Sequence, residues 1–171
     1  MKKVLLLVFV LWNTVVYGAS DDFGVSVNAG RGSSIDIFRL GLQKSFDSII
    51  YSNESISLKG FHEVGLNHWS GNRNNLWALS YSPVFVIDFN KYAYTTYRPY
   101  IDLGVGVAFL SETQIDNKDM SSSFQFEDRI SIGLRKENID FYIRYMHYSN
   151  GGVRKPNHGL NMGLVGINYR F

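Results

Sequence analysis

The segment Tyr145-Met146-His147-Tyr148-Ser149-Asn150-Gly151-Gly152 holds the residue types from which nucleophilic catalysis is built. A serine hydroxyl is a poor nucleophile until a base takes its proton, and imidazole is the usual base. Residues two apart in an extended strand share a face, so His147 and Ser149 project together, on the side of Phe141, Ile143 and Tyr145. Spacing alone also fits a strand that has simply reached a polar headgroup zone. Two neighbours sharpen the case. Counting back in twos from Phe171 through Tyr169, Ile167, Val165 and Gly163 puts Asn161 on the same face of the last strand. Asp128 falls in the outward set of Phe126 and Ile130, where an acid is costly unless it has a partner. His147 is one candidate partner; a neighbouring Tyr or a strand end is the other.

These side chains need elements to carry them. The chain has 171 residues, 45% of them hydrophobic and 15% aromatic, enough for one domain. It has no cysteine, which excludes a disulfide scaffold, a Cys-ligated metal centre and a cysteine nucleophile. Twelve Phe, eleven Tyr and three Trp exclude a solvated, disordered chain. The formal charge of +2 includes Lys2 and Lys3, and without them the basic and acidic side chains balance, so no basic field suggests a nucleic-acid partner. Residues 1–18 read as a secretory signal, with Lys2 and Lys3 leading the apolar run Val4 to Trp12. Cleavage is expected after Gly18 or Ala19, leaving residues 19–171 as a single domain. No later stretch approaches the ~20 apolar residues of a membrane helix.

Period-two alternation dominates that domain. It runs through Phe23 to Ala29, Phe38 to Gln43, Ile101 to Phe109, Phe124 to Leu134, Phe141 to Tyr145 and Val165 to Phe171. Two less regular stretches, Ser57 to Trp69 and Leu76 to Phe89, bring the count to eight strands. The second face carries Gly, Ser, Gln and opposed charges such as Asp102, Glu127, Arg129 and Arg144. Small residues with compensating charges suit the narrow interior of an eight-stranded barrel, and the apolar face then meets lipid. The expected fold is therefore all-β, an eight-stranded antiparallel outer-membrane barrel ending on an aromatic residue. With both termini in the periplasm, the links 31–34, 70–75, 111–121 and 150–160 are extracellular, and Lys136-Glu137-Asn138 is a short periplasmic turn.

The run His147-Tyr148-Ser149-Asn150-Gly151-Gly152 followed by Pro156-Asn157-His158-Gly159 closely resembles the active-site segment of the bacterial lipid A 3-O-deacylases, the PagL family. The blocks Phe126 to Ile130, Pro83 to Val86, Pro99 to Val107 and Gly60 to Trp69 look like the same family. The resemblance implies an outer-membrane serine ester hydrolase that removes the 3-position acyl chain of lipid A near the extracellular leaflet. It implies His147 as general base and Ser149 as nucleophile, with Asn150, Gly152 and Asn157 placing or stabilising the oxyanion. The family's well-studied members carry a glutamate, the acid orienting the histidine, where this chain has Asn161; Asp128 is the alternative acid. No cofactor is implied. His62, His68, His147 and His158 share no metal-ligand spacing, and no metal is expected. The implied partners are lipopolysaccharide and the outer membrane, with monomer or homodimer left open. The competing reading is a structural or adhesive barrel whose activity is weakened or lost, with Asn161 as the trace. A solute pore is disfavoured, because side chains fill an eight-stranded barrel.

Overall fold

A computed structural model of the chain describes residues 22–171, and the expected signal at 1–18 lies outside them. Eight long strands follow one another: β1 (Phe23–Gly32), β2 (Ile35–Ser45), β3 (Ile56–Ser70), β4 (Asn75–Phe89), β5 (Arg98–Leu110), β6 (Phe124–Lys136), β7 (Ile139–Ser149) and β8 (Leu160–Arg170). Each pairs antiparallel with the next, and β1 pairs with β8, so the sheet closes on itself. Closure leaves no long edge, the condition for a sheet to stand in hydrocarbon with every backbone group paired.

The alternation sorts the side chains as expected. Phe38, Leu40, Leu42, Leu103, Val105, Ile130, Ile132, Phe141 and Ile143 point outwards and are exposed, the outer band that meets lipid. Arg39, Glu63, Asp102, Glu127, Arg129 and Arg144 point inwards and are buried. The Arg39 guanidinium donates to Glu63 at 2.7 Å and to Glu127 at 2.9 Å. Arg129 reaches Glu63, and Arg144 lies 3.8 Å from Asp102. Three cations thus face three carboxylates, and Gln43, Asn67, Ser80 and Ser82 take up further donors and acceptors. A buried charge left alone is costly, so the balance is what makes this interior tenable.

Only half the interior is polar. Towards the end carrying the β3–β4, β5–β6 and β7–β8 connections, Ile35, Ile37, Trp69, Leu76, Met146, Met162 and Leu164 form an apolar core inside the barrel. Ile115 and Met120, from the β5–β6 connection, are fully buried in it and close the mouth. The inward face of the sequence reading carried only small and charged residues. The apolar half escaped it because alternation fades where both faces are apolar, as with Leu66 outside and Trp69 inside on β3.

Some connections are tighter than the sequence suggested. Arg31 and Gly32 belong to β1, and Ser33-Ser34 alone turn the chain, both with positive φ (52° and 67°). That is the backbone of a two-residue hairpin whose twist matches its strands. The turn expected at Lys136-Glu137-Asn138 is likewise shorter, Glu137-Asn138, because Lys136 belongs to β6. The β5–β6 connection holds a small hairpin, Gln114–Ile115 paired with Lys118–Asp119, that alternation did not reveal.

Removing one partner of a buried ion pair strands the other charge, at a cost of about 3–5 kcal/mol. Glu127→Ala should therefore lower the urea midpoint of the detergent-folded barrel sharply, read from its heat-modifiable mobility. Leu79→Ala, on the lipid face, should leave that midpoint nearly unchanged.

Candidate active site

Strand β7 is anchored through its inward face. Met146, Tyr148 and Asn150 point inwards and are buried. The Tyr148 hydroxyl donates to Glu127 at 3.0 Å, and its ring packs edge-on against Trp69 at 4.7 Å. His147 and Ser149, the residues between, therefore face outwards at the loop end of the barrel, both half-buried.

Cross-strand register brings the expected neighbours together. His147 stands opposite Asn161 on β8 and opposite Asp128 on β6, while Ser149 stands opposite Phe126. The His147 Nδ1 lies 2.6 Å from Asn161 Oδ1. With the amide oxygen on that side the ring nitrogen donates, which leaves Nε2 as an acceptor, the tautomer a general base needs. Among the described residues no hydrogen bond joins the ring to Ser149 or to Asp128. Catalytic hydrogen bonds are often long before substrate arrives.

The loop after Ser149 folds back on this pair. Asn150 Nδ2 donates to the Met120 carbonyl at 2.9 Å and the Arg154 carbonyl at 3.0 Å. Asn150 Oδ1 accepts the Gly152 N–H at 2.9 Å, and the Asn150 N–H donates to Asn157 Oδ1 at 3.2 Å. Asn150 thus serves as the knot of the loop, and Asn157 Nδ2 carries no hydrogen bond among the described residues. Gly159 has φ +54°, and a Cβ there would lie 3.3 Å from His147 Cε1. Glycine suits both the backbone and the tight approach to the ring.

Two apolar grooves run over the outer surface from this point. One, about 700 Å³, has His147 and Asp128 at its head and Pro83, Phe85, Leu103, Val105, Ile130 and Tyr145 as walls. The other, about 490 Å³, lies across Tyr145 against Ala29, Ile143, Gly163 and Val165. Phe109, Phe124 and Phe126 form an edge-to-face ladder beside Ser149, with centroids 5.6 Å and 5.2 Å apart. Among the described residues no cluster of three or more His, Asp or Glu could hold a metal ion.

Family and fold are shown by likeness to known proteins. The family model for lipid A 3-O-deacylase (PagL) matches residues 36–170. The chain belongs to the PagL family. The lipid A deacylase PagL of Pseudomonas aeruginosa is 34% identical over 165 residues, 94% of each chain. The lipid A deacylase PagL of Bordetella bronchiseptica is 33% identical over 114 residues, 64% of this chain and 61% of that protein. A crystal structure of the outer membrane enzyme PagL aligns with a TM-score of 0.81 and 32% identity, over 86% of this chain and 99% of that one. A PagL-family chain with this closed, lipid-banded sheet is an outer-membrane barrel, and the family implies a hydrolase.

Sequence reasoning missed what holds the loops of this PagL-family barrel. The Asp116 carboxylate accepts the backbone N–H groups of Asn72 at 2.9 Å and Arg73 at 2.8 Å. Asn74 returns the contact, accepting the Asp116 N–H at 2.8 Å and donating to the Gln114 carbonyl at 2.9 Å. The small hairpin is thereby tied to the β3–β4 turn, and through Met120 to Asn150. No local pattern encodes such a contact.

The two backbone donors hold the Asp116 carboxyl below the ordinary carboxylate range. A depressed value means that the clamp contributes at neutral pH and is lost only as pH falls through that lowered value. Asp116→Ala should therefore speed amide hydrogen exchange at Asn72 and Arg73 at pH 7. Wild-type exchange there in the variant would show that the carboxylate is not the clamp.

Proposed function

We propose that this protein hydrolyses the ester linking the 3-position acyl chain to lipid A, as a serine ester hydrolase working from the outer surface of the barrel. The carrying observation is the outward-facing His147, hydrogen-bonded to Asn161 and two residues from Ser149, at the head of an apolar groove. A soluble esterase must lift a lipid out of the membrane; a nucleophile on the lipid face meets the ester where it lies. The loop end, with the longer β5–β6 and β7–β8 connections, is then the extracellular end, where lipid A occupies the outer leaflet. Residues 1–18 serve as the export signal.

In this reading His147 Nε2 takes the proton of Ser149 as its Oγ attacks the ester carbonyl. The tetrahedral oxyanion collapses to an acyl-enzyme, the sugar hydroxyl leaves with the proton from His147, and water repeats the sequence to release the fatty acid. Asn157 Nδ2, free of partners, is the donor for the oxyanion, and Asn150 and Gly152 shape the loop that presents it. All these groups come from one chain, so the reading needs no second copy.

Asn161 keeps the tautomer but brings no charge to the imidazolium. In a Ser-His-Asp protease the acid-to-amide change lowers turnover by about 10⁴. Asp128, facing His147 across the strand pair, is the nearest substitute.

The test is mass spectrometry of lipid A from cells with and without the protein. Loss of one hydroxyacyl chain is expected, and an unchanged profile would favour an inactive structural barrel. Ser149→Ala and His147→Ala should each abolish the loss while keeping heat-modifiable folding, and activity in either would remove that residue from the chemistry. Asn161→Glu should raise turnover by roughly tenfold or more. Asp128→Asn should cost activity in the natural chain and less beside Asn161→Glu, because both groups act on one imidazole. Strictly additive effects would mean that Asp128 does not act through His147.

A further inference from the structure

The small hairpin in the β5–β6 connection touches the catalytic loop twice. One contact is Asn150 Nδ2 on the Met120 carbonyl. The other involves a histidine that the reaction scheme leaves unused. The Asp119 backbone N–H donates to His158 Nδ1 at 3.0 Å, and the His158 N–H returns to the Asp119 carbonyl at 3.3 Å. His158 therefore joins the hairpin through its ring and its backbone together.

We propose that His158 is a positioning residue of the deacylase site, its Nδ1 accepting the Asp119 N–H and so pinning the Asn157–Gly159 segment against His147. The inference rests on the function proposed above. His158 stands between the two residues that matter most to the site's geometry. On one side, Asn157 is held by the Asn150 N–H in the attitude that frees its Nδ2. On the other, Gly159 lies close enough to the His147 ring that a Cβ there would stand 3.3 Å from its Cε1. A shift of this short segment moves both at once.

The strap has a rigid foundation. Ile115 and Met120 are fully buried in the barrel mouth, and Asp116 ties the hairpin to the β3–β4 turn. The Asp119 carboxylate is engaged separately, accepting the Ser121 N–H at 2.7 Å. What His158 reads is thus the backbone of a fixed element, through a ring nitrogen that must be unprotonated to accept. His158 itself is exposed, so truncating it opens no cavity and tests the hydrogen bond rather than packing.

Full-length protein in detergent, assayed on purified hexa-acylated lipid A with amide exchange followed in parallel, tests this. His158→Ala should lower kcat by roughly ten- to a hundredfold, the scale of a small misplacement of reacting groups, with KM little changed. Exchange should rise in residues 111–123 and 150–159 together. His158→Asn keeps an acceptor in the place of Nδ1 and should restore most of kcat and of the protection. Unchanged kcat and exchange in His158→Ala would overturn the proposal. So would a fall in kcat without any change in exchange, or an Asn variant no better than Ala. If the natural protein does not deacylate lipid A, the functional reading fails on that measurement alone, and the exchange data still decide whether the strap exists.

Discussion

The Glu127–Tyr148 hydrogen bond sets which face of β7 carries His147 and Ser149. It joins a carboxylate on β6 to a phenol on β7 inside the barrel, across a directly opposed pair. A strand has a period of two, so slipping this register by one residue would turn every side chain of β7 to the other face. His147 and Ser149 would then point into a packed interior with no room for substrate. Glu127 is itself held by Arg39 and Ser82, and Arg39 by Glu63, so the buried network across β2, β3, β4 and β6 fixes which face of β7 meets lipid.

The two halves of the interior divide the labour. The charged half pairs Arg39, Arg129 and Arg144 with Glu63, Glu127 and Asp102, and Asp140 with Arg135 and Arg170, a geometry that demands particular partners and makes it a register device. The apolar half is less specific in partner but close-packed, and it draws Ile115 and Met120 of a connecting loop into the barrel mouth. A site made of loop and strand end needs both. The polar network aims β7, and the apolar plug immobilises the hairpin against which the loop after Ser149 is tied.

The strands were legible because alternation is strongest where one face meets lipid and the other meets charge, as along Ile101 to Phe109 and Phe124 to Leu134. His147, Ser149, Asn161 and Asp128 were legible for the same reason: counting in twos places them on one face, and consecutive antiparallel strands are neighbours. The inward apolar half was not, since Trp69, Met146 and Met162 do not break a pattern in which the outer face is apolar too. Nor were the contacts of Asp116, Asn150 and His158. They join segments 30 to 44 residues apart or depend on which lone pair a loop amide meets, and neither leaves a periodic trace.

Under the proposed mechanism, an amide rather than a carboxylate at position 161 has a physical meaning. A carboxylate at the lipid rim carries a desolvation cost in every protein molecule, whether or not substrate is bound. A neutral amide avoids that cost and still orients the ring, because orientation needs only an acceptor at Nδ1. A carboxylate's advantage would come in the proposed reaction step that leaves His147 positively charged, in surroundings where charges interact more strongly than in water. The ring here lies between Asn161, which it touches, and Asp128, which it faces without a hydrogen bond. In the proposed mechanism, orientation and charge compensation, joined in one residue in a Ser-His-Asp triad, are divided between two strands. In that mechanism a ring held by an amide keeps its aim, while an unbonded acid offers weaker compensation than a direct charge-assisted hydrogen bond would.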